Sequence, residues 1–502
     1  MRWSTVARGP AGVSGARMWS ASIPLTLLAA LLLTCVARGQ TVADPLQNEL
    51  LESMRTLGVP TASVSILIRE LDTGNTIVSL NPDVPRNPAS VMKAVTTFAA
   101  LDRLGPGYRW RTEALSRKKP DAAGRIQDLY FRGQGNPYWV AEDFEAFVRA
   151  IYARGVRHID GDLVLDRSYY ASLGGDRAAF DGKPYRVYNV LPDPLTMNFG
   201  SLSMLLVPNV AAHRLDVQVA PPVTTLEVDN RIKLQRKSCT RRNIRLRMNV
   251  QSYESGPTKA VLSGEFPNRC REFELVRVVL DEVNQVVGAF EARWQDLGGE
   301  WSGGMREEVA PADAIVLYEQ PSRPLGDVIR SVNKFSNNVM ARQIFLTLGA
   351  EDSGEPATLA NSRAALLQTL RAHAISSDGF FIDNGSGLSR DARLTATTLV
   401  ELMSAAWQHR YGTDFFSALP VPGVDGTLEA RFDKGSYVGQ AHIKTGTLDH
   451  VTAMSGLVQA RGGQRYLVAF MVNHHNVHKG SGLSLQKKLL RLLVERDARP
   501  GI

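Results

Sequence analysis

The sequence lacks an apolar run long enough to span a membrane, and it lacks internal repeats. Its main apolar run, residues 23–36, is interrupted by one proline and two threonines and is short for a membrane span. A hydrophobic content of 44% and a charged content of 22% among 502 residues indicate a soluble globular protein. This length predicts two or three domains.

The chain also has little excess of charge. Its formal net charge is +8, and residues 1–39 contain four arginines and no acid, so residues 40–502 carry 8 − 4 = +4. So small an excess does not call for a nucleic-acid partner.

The amino terminus has the pattern of a secretory signal peptide. Basic residues precede the apolar run, and Ala37 and Gly39 are small residues at the spacing required for cleavage before Gln40. Residues 1–39 are therefore predicted to be removed on export, which leaves no transmembrane segment. Cys35 raises the alternative of a lipoprotein site, which the threonine before it fits poorly. A loose association with the membrane stays open.

Cysteine is scarce, with 3 residues in the chain. Cys35 leaves with the predicted signal peptide, so Cys239 and Cys270 remain as an even pair in an oxidising compartment. A disulfide between these two residues is predicted, and two free buried thiols are the alternative.

Hydrophobic periodicity and turn residues divide the chain into strands at both ends, helices between them and a β-rich insert. Residues 204–275 are predicted to be strand-rich, and the prolines at 321 and 324 indicate a boundary. The other predicted strands are 62–71, 76–80, 126–132, 161–165, 314–318, 440–446, 451–459 and 466–472, and the predicted helices are 90–104, 143–154, 325–348, 358–374 and 485–493.

Ser90 and Lys93 form one of four Ser-x-x-Lys pairs, and this pair stands out by its position. It opens a predicted amphipathic helix, so both side chains lie on one helix face. The first turn of a helix has unpaired N–H groups and a dipole that favours negative charge. A buried, neutral Lys93 would be able to accept the proton of Ser90. The alternative is two ordinary polar residues on a helix surface.

Ser336 and Asn338 supply a Ser-x-Asn pattern further along the chain. Ser331 and Asn333 form a rival pattern just upstream. Ser331 lies off the apolar stripe of its predicted helix and is predicted to be exposed, whereas Ser336 opens a segment with its own apolar positions. We therefore select Ser336 and Asn338.

Lys444, Thr445 and Gly446 form the only Lys-Thr-Gly triplet of the chain, at the end of a predicted strand. The edge of a strand can pair with an extended peptide, and a glycine leaves room for that approach. Lys444 and Thr445 supply a cation and a hydroxyl group for a substrate carboxylate.

The three motifs in this order resemble the set shared by serine β-lactamases and penicillin-binding proteins. The long separation of Lys93 from Ser336, 336 − 93 = 243 positions, resembles the DacB-type D-alanyl-D-alanine carboxypeptidases/endopeptidases, which are class C low-molecular-mass penicillin-binding proteins. Asn337 departs from the aspartate of the usual motif. The likeness covers nearly all of the predicted mature chain and includes residues 133–137, 161–166, 383–390 and 423–428.

The resemblance implies an α+β fold with a β-lactamase/transpeptidase-like domain, in which helices flank an antiparallel sheet. Two nested, β-rich domains are expected between the first and second motifs. The expected boundaries are 40–106 and 323–502 for the penicillin-binding serine peptidase domain, 107–204 and 276–322 for inserted domain II, and 205–275 for nested domain III.

The resemblance also implies roles for the residues of the first two motifs. Ser90 would be the acylated nucleophile and Lys93 its general base. Ser336 and Asn338 would transfer protons and orient the substrate.

Further roles follow for residues near the carboxyl-terminal end of the chain. Lys444 and Thr445 would hold the terminal carboxylate of the substrate. The backbone N–H groups of Thr447 and of the nucleophile would form an oxyanion hole. Arg390 matches an arginine near the substrate side chain, whereas residues 183–186 lie in a region that differs among members of the family.

The implied function is that of a periplasmic serine-type D-Ala-D-Ala carboxypeptidase, and also a DD-endopeptidase, that acts on peptidoglycan stem peptides. No cofactor and no metal are implied, and β-lactams would acylate the nucleophile as inhibitors. A serine β-lactamase and a non-catalytic peptidoglycan-binding scaffold are the alternatives.

A basic run at residues 231–247 contains eight Lys or Arg and no acid. Apolar residues alternate through it, so the run is predicted to be a solvated strand face. Contact with anionic polymers of the wall is the alternative.

His474, His475 and His478 resemble a metal cluster, but no neighbouring carboxylate or thiolate completes a ligand set. Adjacent residues at the end of a strand point to opposite faces. This segment is therefore predicted to be a polar strand end.

Overall fold

The computed structural model describes residues 45–253 and 256–496. The predicted signal peptide and its cleavage site lie outside the described residues. Within those ranges, no helix combines the length and the apolar character that crossing a membrane requires.

Helices and strands alternate through the described chain. The helices are α1 Pro45–Thr56, α2 Met92–Leu104, α3 Ala141–Ala153, α4 Glu282–Asp296, α5 Leu325–Phe335, α6 Asn338–Ser353, α7 Leu359–Ala372, α8 Ala396–Gln408, α9 Gly412–Ala418 and α10 Ser481–Val494. The strands are β1 Val64–Glu70, β2 Thr76–Leu80, β3 Arg111–Ser116, β4 Arg125–Ile126, β5 Leu129–Gly133, β6 His158–Ile159, β7 Leu163–Asp166, β8 Leu202–Asn209, β9 Arg214–Ala220, β10 Leu226–Gln235, β11 Arg245–Gln251, β12 Thr258–Pro267, β13 Phe273–Arg277, β14 Glu300–Trp301, β15 Met305–Glu307, β16 Ile315–Pro321, β17 Ala441–Leu448, β18 Val451–Gln459 and β19 Arg465–Asn473.

A five-stranded sheet joins the two ends of the chain in the order β17-β18-β19-β1-β2, and its registered pairs are all antiparallel. Successive side chains of a strand point to opposite faces, so Ile66 packs into one core and Leu67 into another. The Ile66 core includes residues of α1 and α10, whereas the Leu67 core includes residues of α2 and of α5 to α8. The predicted α+β fold, an antiparallel sheet flanked by helices, is thereby confirmed.

Helix α2 lies inside the second core, and its residues from Met92 to Leu101 are buried. A helix that is apolar on most sides packs against several partners at once, here the sheet and neighbouring helices. Gly105 ends α2 at a φ of 74°, which glycine adopts without steric cost. The rigid setting of α2 fixes the position of the residues in its first turn.

The segment between β2 and α5 contains further sheets. Strands β15-β7-β5-β3-β16 form one sheet, β13-β8-β9 a second and β10-β12-β11 a third. The first sheet packs with α3 and α4 around Phe131, Phe147 and Phe290, and the other two share a core that includes Leu206 and Leu262. The expected boundaries at 204/205 and 275/276 fall within β8 and β13, which pair with each other.

A disulfide joins Cys239 to Cys270, as the sequence predicts. The Cα atoms of the two residues are 4.8 Å apart and 31 positions separate them along the chain. The bond ties the loop after β10 to the turn after β12.

Two predictions of local structure need correction. Residues 126–132 were expected to form one strand, but β4 and β5 belong to different sheets. Residues 325–348 are predicted to form one helix, but the chain breaks between α5 and α6, where Ser336 has a left-handed φ of 57°. Helix α4, which Asp281 caps by accepting a hydrogen bond from the N–H of Asn284, forms where no helix is predicted. Several β-branched valines lower the helix propensity of α4, so packing in the fold decides its conformation.

Candidate active site

Ser90 lies in a 3-10 turn, Ala89–Val91, that leads directly into α2. Ala89, the residue before it, has a positive φ of 47°, a conformation that an alanine rarely adopts outside functional turns. Asn87 holds this turn, because its Oδ1 accepts the N–H of Ala89 at 2.9 Å and its Nδ2 donates to Ser389 O at 2.8 Å. Ser90 is half-buried, so its hydroxyl is presented at the surface of a rigid core.

Lys93 is fully buried, with 0% of its surface exposed. Its Nζ lies 3.1 Å from Ser90 Oγ, 2.6 Å from Asn338 Oδ1 and 2.5 Å from Ser386 O. A lysine without solvent and without a carboxylate partner has a strong bias toward the neutral form. Burial lowers the pKa of Lys93 well below its usual range, and the nearby cations Lys444 and Arg342 lower the pKa further.

The partners of Lys93 orient its proton and its lone pair. Asn338 presents Oδ1 to Lys93 because its Nδ2 donates to Tyr188 O at 3.2 Å. Asn338 Oδ1 and Ser386 O can only accept hydrogen bonds. A neutral amine has two hydrogens, so these two acceptors take both and leave the lone pair of Lys93 for the hydroxyl of Ser90. The site is therefore arranged for Lys93 to accept a proton from Ser90.

Ser336 lies in the break between α5 and α6, at a left-handed φ of 57°. Its Oγ is 3.1 Å from Lys444 Nζ. Asn337 caps α6 by accepting the N–H of Met340 at 3.1 Å, a role that aspartate and asparagine share. The departure from the usual motif at Asn337 therefore leaves the geometry of this turn intact.

The rival Ser-x-Asn pattern has local partners. Ser331 Oγ donates to Asp327 O at 3.3 Å within α5, and Asn333 Nδ2 donates to Thr97 Oγ1 at 3.1 Å. Ser331 is half-buried rather than exposed, which corrects the prediction for this residue. Neither side chain has a recorded contact with Lys93 or with the Lys-Thr-Gly triplet.

The Lys-Thr-Gly triplet lies on β17, an edge strand of the five-stranded sheet. A Cβ atom at Gly446 would lie 2.5 Å from Pro88 O and 2.8 Å from Ser90 N, so only glycine allows the strand to approach the Ser90 turn. Lys444 and Thr445 are buried and Thr447 is exposed. Burial lowers the pKa of Lys444 to about 7. The first and third motifs are therefore brought together.

Arg390 lies on a loop that packs against the Ser90 turn, since Asn87 Nδ2 also donates to Arg390 O at 3.3 Å. The guanidinium carbon is 4.5 Å from the centre of the Phe180 ring, and Nη2 is 3.8 Å from Asp449 Oδ2. Its side chain is about half exposed, at 47%. Arg390 is thus held beside the turn by the inserted segment and by the hairpin that follows β17.

The sequence motifs do not predict three of the contacts in this site. The carbonyl groups of Ser386 and Tyr188 accept from Lys93 and Asn338, and main-chain acceptors carry no residue-type signature. Arg342 is buried one turn after Asn338 on α6, and it donates to Val190 O. For Arg342, the sequence contains one indication of a special role, which is a charged residue among the many apolar residues of its helix.

Replacing Arg342 with methionine is expected to shift the acidic limb of the pH–rate profile to higher pH. The charge of Arg342 lowers the pKa of Lys93, so its removal raises that pKa and requires a higher pH to obtain the neutral amine. We expect a several-fold lower kcat/KM at neutral pH that recovers in alkaline buffer. The measurement is kcat/KM against pH for D-alanine release.

Arg342→Gln is the matched control, because it removes the same charge with a polar side chain in place of an apolar one. Its acidic limb should shift as far as that of Arg342→Met if the charge of Arg342 is what acts on Lys93. An Arg342→Met profile that is lowered equally at every pH would contradict the electrostatic role and indicate a packing effect instead.

One cluster of potential metal ligands occurs among the described residues, formed by Asp102, His373 and His409. His409 Nδ1 accepts the N–H of Tyr411 at 3.2 Å, so the proton of the neutral ring lies on Nε2, which faces Asp102 at 3.3 Å. His409 Nε2 therefore carries a proton and has no free lone pair with which to bind a metal. The geometry is that of a hydrogen-bonded cluster rather than of a metal centre.

The histidines singled out near residue 475 have separate partners. His474 Nδ1 is 3.5 Å from Ser63 Oγ, whereas the ring of His475 stacks on that of His450 with centroids 4.8 Å apart. His478 Nε2 is 3.5 Å from Asp449 Oδ1. These contacts fit the predicted polar strand end.

Known proteins with similar sequences match most of this chain. The D-alanyl-D-alanine carboxypeptidase of Actinomadura sp. (strain R39) is 28% identical over 511 residues, covering 98% of this chain and 92% of that protein. The D-alanyl-D-alanine carboxypeptidase DacB of Haemophilus influenzae is 23% identical and covers 82% of this chain and 85% of its own length.

Solved structures share the fold. The crystal structure of penicillin binding protein 4 (dacB) from Haemophilus influenzae has a TM-score of 0.76 at 18% identity, covering 89% of this chain and 99% of that chain. A second crystal structure of that protein, in complex with a β-lactam, has a TM-score of 0.71 at 19% identity. The match covers 89% of this chain and 100% of that chain. A family model for the D-Ala-D-Ala carboxypeptidase 3 (S13) family matches residues 46–492. The chain therefore belongs to the D-Ala-D-Ala carboxypeptidase 3 (S13) family.

Proposed function

We propose that Ser90 is the nucleophile with which this serine-type D-Ala-D-Ala carboxypeptidase attacks peptidoglycan stem peptides. The observation that carries the assignment is the environment of Lys93, whose two acceptor partners leave its lone pair for Ser90 Oγ at 3.1 Å. Ser90 Oγ attacks the carbonyl carbon before the terminal D-alanine as Lys93 accepts the hydroxyl proton. The nucleophile and its base are thus adjacent before any substrate arrives.

The second half of the reaction uses Ser336 and Lys444. Ser336 Oγ relays the proton from the base toward the amine of the leaving D-alanine, and Asn338 keeps Lys93 oriented. The N–H groups of Ser90 and Thr447 stabilise the oxyanion, a contribution of about 3–4 kcal/mol per donor in other hydrolases. Water then attacks the ester carbonyl, and Ser90 regains its proton.

Lys444 and Thr445 bind the carboxylate of the terminal D-alanine. Cationic Lys444 matches a carboxylate, and its pKa of about 7 in the free site would rise when an anion binds beside it. Gly446 lets the peptide lie along the edge of β17, and Arg390 contacts the substrate side chain. The same arrangement would cut D-alanyl cross-links, so DD-endopeptidase activity is included in the proposal.

On this proposal, residues 1–39 are a signal peptide and the enzyme acts in the periplasm. The peptidase domain comprises 40–106 and 323–502, inserted domain II comprises 107–204 and 276–322, and nested domain III comprises 205–275. Covalent binding of β-lactams follows from their mimicry of the D-Ala-D-Ala terminus, and the fold shared with a protein crystallised with a β-lactam supports it.

The test is the intact mass of residues 40–502 after addition of penicillin, followed by peptide mapping of the adduct. We expect one persistent adduct on the peptide that contains Ser90, together with D-alanine release from a peptide ending in D-Ala-D-Ala. Rapid loss of the adduct with penicillin turnover would indicate a serine β-lactamase instead. No adduct, with no D-alanine release, would favour the non-catalytic scaffold.

A further inference from the structure

A basic groove runs beside β11, outside the residues assigned to the reaction. β11 is an edge strand of the sheet β10-β12-β11, and the groove beside it has a volume of about 370 Å³. Its charged lining residues are Lys183, Arg186, Arg247 and Arg277, and none of the described residues that line it is acidic. Four cations therefore face one concave space.

These cations have few partners among the described residues. Lys183 Nζ is 3.8 Å from Asp181 Oδ2, and Arg277 Nη1 donates to the neutral carbonyl of Val276 at 2.7 Å. No ion pair or side-chain hydrogen bond to another described residue is recorded for Arg186 or Arg247, and both are exposed. Like charges gathered without carboxylates raise the free energy of the empty site, and a bound anion would relieve that repulsion.

Three other cations of this part of the chain differ, because an acid lies beside each of them. Lys259 Nζ is 2.9 Å from Glu227 Oε1, Arg231 Nη2 is 2.6 Å from Asp229 Oδ2, and Lys237 Nζ is 3.0 Å from Glu265 Oε2. Lys233 and Arg245 have no ion pair among the described residues, but both lie opposite Glu265 of β12. The groove differs from these positions because no acid lines it. This difference is not visible in the sequence run 231–247.

The groove adjoins the proposed active site through one short segment. Tyr185 O accepts the N–H of Val278 at 3.2 Å, which anchors the segment to the end of β13. Tyr188 O accepts from Asn338 Nδ2 at 3.2 Å. Two residues span at most about 7 Å of extended chain, so Arg186 lies next to the residue that orients Asn338. The groove therefore lies close to the proposed active site.

We propose that the groove binds a carboxylate-bearing part of the peptidoglycan substrate beyond the D-Ala-D-Ala terminus attacked by Ser90. The inference rests on the proposed function and names an additional contact of the same substrate. The planar fork of arginine matches a carboxylate with two parallel hydrogen bonds. Tyr185 and Met248 supply apolar surface for the aliphatic parts of the chain. The concave shape favours a chain over a planar lipid surface.

The test compares two substrates with the double variant Arg186→Gln/Arg247→Gln. On soluble, uncrosslinked peptidoglycan we expect kcat/KM to fall about tenfold, as for the loss of charge-assisted hydrogen bonds. On a short acylated peptide that ends in D-Ala-D-Ala and carries no other carboxylate, kcat/KM should stay within about twofold, since that peptide has no second carboxylate for the groove to bind. Added salt should slow the parent enzyme on the polymer more than it slows the variant.

The matched control is Arg117→Gln/Lys118→Gln, which removes the same charge from exposed residues outside the groove. It should behave as the parent enzyme on both substrates. Equal losses of the groove variant on both substrates would overturn the proposal and indicate a structural role. An equal loss in the control, or no loss on the polymer, would overturn it as well.

Vesicle and polymer binding distinguish a peptidoglycan groove from a lipid site. Sedimentation of the parent enzyme with phosphatidylglycerol vesicles, lost in the groove variant while polymer hydrolysis is kept, would assign the groove to lipid and overturn the proposal. If the parent enzyme releases no D-alanine from the short peptide, the proposed function fails. Weaker sedimentation of the groove variant with insoluble peptidoglycan would then still support an anion site.

Discussion

Replacing Ser90 with alanine is expected to abolish both penicillin acylation and D-alanine release, with kcat/KM falling by at least about 10⁴-fold. The reason is that Ser90 Oγ is the atom proposed to form the ester, and among the described residues no other hydroxyl forms a hydrogen bond with Lys93 Nζ. Removing one oxygen from a half-buried side chain leaves the packing of α2 unchanged. The measurements are intact mass with penicillin and initial rates of D-alanine release.

The control for Ser90 comes from the chain itself. Ser484 begins another Ser-x-x-Lys sequence, ending at Lys487 on α10, and its side chain is exposed. Ser484→Ala should keep the parent rate and the parent adduct. If Ser90→Ala were still acylated, the assignment of the nucleophile would be wrong, whereas equal losses in both variants would point to a general effect of the substitutions.

Replacing Lys93 with methionine is expected to reduce the acylation rate by about 10²- to 10⁴-fold, the usual contribution of a positioned general base. Methionine nearly matches the volume of lysine but has no lone pair of comparable basicity and no N–H group. Ser90 would then keep its proton at neutral pH. The rate constant of penicillin acylation, measured by stopped-flow or quenched mass spectrometry, reports this step directly.

The Lys93 variant also has a predicted cost in stability, because Asn338 Oδ1 and Ser386 O lose their donor. An unpaired buried polar atom costs about 1–3 kcal/mol, so thermal unfolding has to be measured beside the rate. Lys487→Met, the corresponding change in the α10 pair, is the control for both readouts. A folded Lys93→Met enzyme with the parent acylation rate at neutral pH would exclude Lys93 as the base.

A large part of the fold could be predicted from local pattern. Runs of β-branched and apolar residues between turn residues predicted the strands of the five-stranded sheet, because its central strands are buried on both faces. The apolar stripe at 90–104 predicted α2, because residues three and four apart share one face of a helix. The helices α1, α4, α8 and α9 were not predicted. Local propensity is a weak guide to such segments, because tertiary packing can override it.

Ser90 and Lys93 could be paired from the sequence because they are three residues apart on one helix, where spacing fixes proximity. Their connection to Ser336 and Lys444 rested on the family resemblance, since no local rule joins residues so far apart. In the structure, Gly446 lets β17 approach the Ser90 turn, and the left-handed Ser336 lies 3.1 Å from Lys444 Nζ.

The sequence by itself determined the order of the motifs, the export pattern, the cysteine pair and the apolar runs that build the main sheet. Only the tertiary structure decided which atoms surround Lys93 and where positive charge is left unpaired. The carbonyl of Ser386, the buried charge of Arg342 and the groove beside β11 all depend on segments far apart in the chain. Sequence pattern reports spacing within one element, whereas desolvation and charge repulsion depend on what other elements bring to the same place.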